Sequence, residues 1–183
     1  MTWYVALVRG VAPSTPPRTN ADIVPVLAGL GFADVAAVQS SGNYVFTADA
    51  PDTATLEARI EDAFAARLGV RLLTIVRSQD QLRRLVEANP LAGMPHGPGS
   101  YQLVTFFKRP CDLGVPLPHR PDGLAVQFVS CVDGTLFSVI DNTTQPTVTT
   151  MTWLERRCTA DLTSRTPLTL ARILTKMGAG GAG

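Results

Sequence analysis

The chain has little charge and almost no excess of either sign: 16 Lys and Arg stand against 15 Asp and Glu in 183 residues, a formal net charge of +1. Divided at Asn89, it carries 8 cations against 9 anions before that point and 8 against 6 after it. Neither half is a basic domain, which argues against tight non-specific nucleic-acid binding driven by counterion release. Long apolar runs are missing too, so no segment is expected to span a bilayer. Residues 1–9 lack the cationic start and apolar stretch of a secretory signal. Cysteines number 3, and Cys111, Cys131 and Cys158 are an odd set at wide spacings. That pattern fits reduced, buried thiols in a cytoplasmic protein better than a disulfide framework, and makes Asn142-Thr143-Thr144 an idle glycosylation sequon.

Local catalytic signatures are equally scarce. No G-x-S-x-G, Walker A, H-E-x-x-H or C-x-x-C occurs, which removes the local marks of α/β-hydrolases, P-loop enzymes, zincins and zinc ribbons. The tail from Gly178 to Gly183 spells G-x-G-x-x-G, but that fingerprint works only between a strand and a helix that aims its amides at pyrophosphate. His96, Cys111, Asp112, His119 and Asp122 share two irregular segments at spacings of no known ligand set, so neither a metal nor a cofactor is expected.

What is present is apolar: 45% hydrophobic residues and a mean hydropathy of +0.15. A chain of this length buries roughly 70% of its unfolded surface, enough for a core without staples. Trp3 to Val8 reads as a strand closed by Arg9-Gly10, and a Pro-rich loop follows. Thr19 or Asn20 caps a helix over residues 21–30, with Pro25 its weak point. Strands near 34–39 and 43–48 form a hairpin at Ser40-Ser41-Gly42-Asn43. Leu56, Ile60, Ala63, Phe64 and Leu68 mark a helix over 52–68, closed by Gly69. A strand over 70–76 and a helix opened by Ser78-Gln79-Asp80-Gln81 complete β-α-β-β-α-β, the ferredoxin-like order.

Beyond a Gly/Pro-dense joint at 91–100, strands are expected at 101–107, 124–130 and 134–140, the last two hinged at Asp133-Gly134. A Pro-rich loop at 108–123 is either a lid or a long connection. Helices near 147–158 and 167–177 precede a disordered tail. The expected architecture is α+β: a ferredoxin-like subdomain at 1–89, a second, smaller antiparallel sheet with helices at 90–177, and a tail at 178–183. Both faces of the first strand are apolar. The second half of the chain is expected to cover the face that the helices leave open.

Topology places one polar constellation. In a ferredoxin-like sheet the first strand runs antiparallel to the third and fourth, so Arg9 meets Ser41, Gly42 and Asn43, with Arg71 at the start of the fourth strand. The first helix starts at the same end, and its amides, together with Arg9, Arg18, Arg71, Ser41 and Asn43, form an expected anion site. The competing reading has Arg9 and Asn43 tying hairpin and loop carbonyls. Gly42-Asn43-Tyr44-Val45-Phe46 invites comparison with an RNA-recognition strand, but its aromatic residues fall on the wrong face and a basic companion is missing, so core or sheet packing is the expectation.

These residues also carry a resemblance. Tyr4 to Gly10, Leu30 to Val35, Ser41 to Phe46, Val76-Arg77-Ser78 and Ala88-Asn89-Pro90 resemble the bacterial domain-of-unknown-function family sixteen ninety-seven. The resemblance continues at Thr163-Ser164-Arg165 and the helix after it, to about residue 174. It implies two α+β subdomains, the first ferredoxin-like, with no established activity. Arg9, Ser41, Gly42, Asn43 and Arg165 are the motif positions kept. Pro13 to Pro17 with Arg18, Ser40, and Thr166-Pro167-Leu168 depart from the pattern. The leading expectation is a binding or accessory protein contacting a small anionic ligand or a partner chain. The alternatives are an enzyme of unnamed reaction on a phosphorylated or nucleotide substrate, with no identifiable general base, and a self-associating structural protein of unknown oligomeric state.

Overall fold

The computed structural model describes residues 1–12, 14–50, 52–144 and 149–179. Pro13 of the Pro-rich loop, the first two residues of the helix expected at 147–158, and residues 180–183 of the tail lie outside the described residues. The chain divides into two units, Met1–Arg84 with Leu170–Gly183, and Leu85–Thr169.

In the first unit, β1 (Thr2–Val8), α1 (Asn20–Ala28), β2 (Ala33–Ala37), β3 (Asn43–Ala48), α2 (Thr53–Leu68) and β4 (Thr74–Ser78) follow one another. Its sheet has the order β2-β3-β1-β4, with β1 antiparallel to both β3 and β4. This is the ferredoxin-like arrangement. Tyr4, Ala6 and Val8 of β1 and Tyr44 and Phe46 of β3 bury one face against Ile23 and Leu27 of α1 and Leu56, Ile60 and Phe64 of α2. Alternation turns Val5, Leu7, Val45 and Ile75 to the other face, and all four are fully buried as well. Buried Leu170, Ile173 and Met177, from α5 (Pro167–Ala179), fall in this same unit.

Caps explain the helix boundaries. Thr19, not Asn20, caps α1: its hydroxyl accepts from Asp22 N at 3.3 Å while the Asp22 carboxylate accepts from Thr19 N at 3.0 Å. Pro25 lies inside the helix, beyond that first turn. Asp52 caps α2, accepting from Thr55 N at 2.7 Å, and Gly69 ends it with φ +68°.

β4 begins at Thr74, four residues beyond the expected start. It is an edge strand, and three side chains close its outer amides. Glu61 accepts from Thr74 N at 2.9 Å, Glu57 from Val76 N at 2.9 Å, and Gln81 from Ser78 N at 2.8 Å. Glu57 and Glu61 are one helical turn apart on α2, and strand amides alternate every second residue, so the two periods meet along this edge. Both carboxylates are buried. An open edge would be a template for another chain, and here it is capped from within.

The second unit holds α3 from Leu85 onward (α3 spans Gln79–Ala88), β5 (Ser100–Phe107), β6 (Val126–Val132), β7 (Thr135–Asp141), α4 (Thr150–Arg157) and β8 (Leu162–Arg165). Its antiparallel sheet has the order β6-β7-β5-β8. Phe107, Val126, Phe128, Leu136 and Leu162 bury one face with Leu154 of α4. Val104, Phe106 and Phe137 are buried on the other. β8, absent from the sequence-based expectation, pairs with β5 from Val104↔Arg165 to Phe107↔Leu162.

One expectation is overturned. Cys111 and Cys158 are joined in a disulfide with a Cα separation of 5.5 Å, within the ordinary range for such a bond, and only Cys131 is a free thiol. A sequence separation of 47 carries no spacing signal. The fold creates the pairing by seating the 108–123 loop against the end of α4.

Candidate functional site

Backbone bonds gather four segments at the end of β1. Val8 N donates to Gly42 O at 2.8 Å, Arg9 N to Leu73 O at 2.9 Å, and Ala12 N to Arg18 O at 3.0 Å. Asn20 Nδ2 donates to Gln39 O at 3.1 Å and Asn20 Oδ1 accepts from the Tyr44 hydroxyl at 2.8 Å. Arg9, Arg18, Ser41, Gly42 and Asn43 therefore lie on neighbouring stretches of chain. Their roles differ.

Gly42 is part of the frame: its φ is +76°, and a Cβ there would collide with the carbonyl oxygen of Val8. Asn43 is fully buried and spends both amide hydrogens inside the hairpin, on Val38 O at 3.1 Å and Ser41 Oγ at 3.0 Å. Because Ser41 Oγ accepts that bond, its own hydrogen remains to donate, and the residue is exposed. Arg9 and Arg18 are half-buried. The Arg18 guanidinium makes no hydrogen bond or ion pair among the described residues.

The other expected members are occupied elsewhere. Arg71 bonds Asp62 at 2.7 Å and Glu61 at 3.2 Å, and the Asp62 bond above all holds its proton more firmly than usual, opposed by desolvation and helped by the charges of Asp62 and Glu61. Its charge is thereby neutralised on α2. Of the α1 amides, that of Asp22 is engaged by the Thr19 hydroxyl, and the Thr19 amide by the Asp22 carboxylate, bonds that hold the Asp22 carboxyl below the ordinary carboxylate range. Arg165 lies in the second unit, where Nη1 donates to Thr163 Oγ1 and Ser164 O, each at 2.8 Å.

The two histidines serve local geometry. His96 Nδ1 accepts from Gln102 N at 3.3 Å, and the His119 backbone exchanges two 2.8 Å bonds with Phe128. Among the described residues no three His, Cys, Asp or Glu side chains gather as metal ligands, and no helix is long and apolar enough to cross a membrane. The 108–123 loop is anchored repeatedly. Lys108 N reaches Asp161 O, the disulfide fixes Cys111, Arg157 Nε donates to Leu113 O at 2.7 Å, and His119 bridges to Phe128.

Sequence reasoning passed over a cavity of about 560 Å³ within the second unit, whose wall includes Met94, Arg120, Leu124, Val126, Val139 and Asp141. Its contributors come in short runs from the 94–100 joint, the 108–123 loop, β6 with the residues before it, and the end of β7. Only the pairing of β6 with β7 and the placement of the loops bring them together.

The solved structure of the conserved bacterial protein SP0830 from Streptococcus pneumoniae superposes with a TM-score of 0.68, covering 96% of this chain and 98% of that chain. At 17% identity the likeness is one of fold. No curated protein matches the chain. The family model described as "Protein of unknown function (DUF1697)" matches residues 1–115, which include the Arg9 end, both hairpin strands and the start of the 108–123 loop. The chain belongs to that family.

Proposed function

We propose that the protein is a binding or accessory protein whose polar end, around Arg9 and Ser41 to Asn43, contacts a small anionic ligand or an anionic segment of a partner chain. The observation that carries this reading is the joining of the Arg9, Arg18 and Ser41 segments by backbone bonds at one end of the sheet. Two guanidinium groups and a hydroxyl with a hydrogen to donate suit phosphate or carboxylate oxygens, which take charge-assisted bonds from such donors. Gly42 and Asn43 hold the hairpin that presents Ser41.

Thermal unfolding of the full chain with inorganic phosphate and with pyrophosphate tests the reading. Stabilisation by either anion should disappear in Arg9→Ala and in Arg18→Ala, while the ligand-free variants stay within about 1 kcal/mol of the parent, as for ordinary surface changes. A large loss of ligand-free stability with no change in the anion response would instead make the arginines structural.

A further inference from the structure

The second-unit cavity combines apolar wall with polar groups and two opposite charges. Met94, Leu124, Val126 and Val139 supply apolar wall, and Arg120 and Asp141 supply the charges. A volume of about 560 Å³ is within the range of small-molecule sites, which combine apolar walls with a few placed polar groups.

Both charged groups are held in place, and both keep capacity. Arg120 Nη2 donates to Gln127 Oε1 at 2.6 Å, which fixes the guanidinium along β6 and leaves its other N–H donors. Asp141 accepts from Thr143 N at 2.8 Å, from the Thr143 hydroxyl, and from the Thr144 hydroxyl at 3.1 Å. A carboxylate offers about four lone-pair sites, so one is left on Oδ2. The Thr143 bonds chiefly, with smaller help from Thr144 and the Arg120 charge, hold Asp141 below the ordinary carboxylate range, so it is anionic at neutral pH. Arg120 and Asp141 nevertheless form no ion pair with each other among the described residues.

We propose that this cavity binds a small zwitterion with an apolar body, of the class of free apolar α-amino acids, its carboxylate on Arg120 and its ammonium on Asp141. A simple anion would meet Asp141 as a like charge, and a simple cation would meet Arg120. Only a ligand carrying both signs satisfies both walls while its side chain takes the apolar space.

Calorimetric titration of the full chain tests this with L-leucine as probe, beside 4-methylpentanoate, which lacks the ammonium, and 3-methylbutylamine, which lacks the carboxylate. Leucine should bind about tenfold or more tightly than either analogue, the loss expected when a charged hydrogen-bond partner is missing. Arg120→Gln, a change at an exposed side chain, should weaken leucine by a similar factor and abolish its advantage over 3-methylbutylamine. Asp141→Asn should abolish its advantage over 4-methylpentanoate. Leucine binding no better than its analogues, or binding unchanged by Arg120→Gln, would overturn the proposal. The phosphate response at the Arg9 end should be the same in Arg120→Gln as in the parent, which keeps the two readings separable.

Discussion

The two units solve the same problem with different materials. Each has a four-stranded antiparallel sheet whose two faces are both buried. The first closes itself with its own polar side chains: Glu57, Glu61 and Gln81 from helices on the β4 edge, and Asn43 of β3 inside the hairpin. The second relies on a disulfide and a long anchored loop. It leaves a cavity with charged walls. Polar groups that complete a frame are not available to a ligand, and this separates Asn43 and Glu61 from Ser41 and Asp141.

The largest test of this contrast is to cut the first unit. Residues 1–89 alone omit Leu170, Ile173 and Met177, which belong to that unit. The fragment should aggregate or fold only partly, seen by gel filtration and thermal unfolding. A monomeric fragment that unfolds cooperatively would mean that the first seven elements are self-sufficient and that α5 is an accessory.

Glu57 tests the capped edge. Glu57→Ala would leave the Val76 amide without its acceptor and remove the carboxylate 3.8 Å from Arg77. Burial already pulls the Arg77 guanidinium below its usual basicity, with Glu57 opposing that pull. Breaking such a pair by removing one partner costs about 3–5 kcal/mol. Urea unfolding should show a loss of that size for Glu57→Ala and a smaller one for Glu57→Gln, which keeps an oxygen for the amide. Equal losses in the two variants would mean that the charge, rather than edge closure, is what matters.

The sequence made the first unit legible where a local period or a turn residue decided the structure. Leu56, Ile60 and Phe64 announced α2, and Gly42-Asn43 announced the hairpin. β4 was misplaced because Val70 and Leu72, apolar and packed into the core, imitate a strand before the strand starts. β8 went unseen because four residues between helices carry no period, and only pairing with β5 makes them a strand. At the candidate site, the convergence of segments followed from topology. The partners of Arg71 did not, since Glu61 and Asp62 lie on the preceding helix and meet it only after folding. The cavity around Arg120 and Asp141 depends wholly on tertiary placement.

The disulfide tests the second unit's different material. Closing a loop of 47 residues is worth about 4 kcal/mol by chain entropy. Chemical unfolding with and without dithiothreitol should show a loss approaching that value in the parent and none in the Cys111→Ser, Cys158→Ser double variant. The hydrophobic packing of Leu113, Val115 and Leu117 and the Arg157 bond to Leu113 O would remain after reduction. If reduction changes nothing, those contacts alone hold the loop.

Acid should separate the units by the smallest effect. The α1 box and the α2 cap use carboxylates, Asp22 and Asp52, whereas α4 is capped by the Thr149 hydroxyl, which accepts from Thr152 N at 3.2 Å and does not titrate. The Thr55 amide first, then its hydroxyl, holds Asp52 below the ordinary carboxylate range. A lowered pKa in the folded chain means that the cap's ionic contribution is complete above the unfolded value, about pH 4, and fades as pH falls through the lower folded value. At neutral pH, Asp52→Ala should lower the melting temperature by about 2 °C, and Asp52→Asn, which can still cap, by less. Below about pH 4 the parent should converge on Asp52→Ala while Asp52→Asn keeps its difference from Asp52→Ala. A Thr149→Ala deficit should stay constant across the same range. If the Asp52→Ala gap also holds constant into acid, the cap acts through backbone geometry rather than charge, and the two units would share one capping chemistry after all.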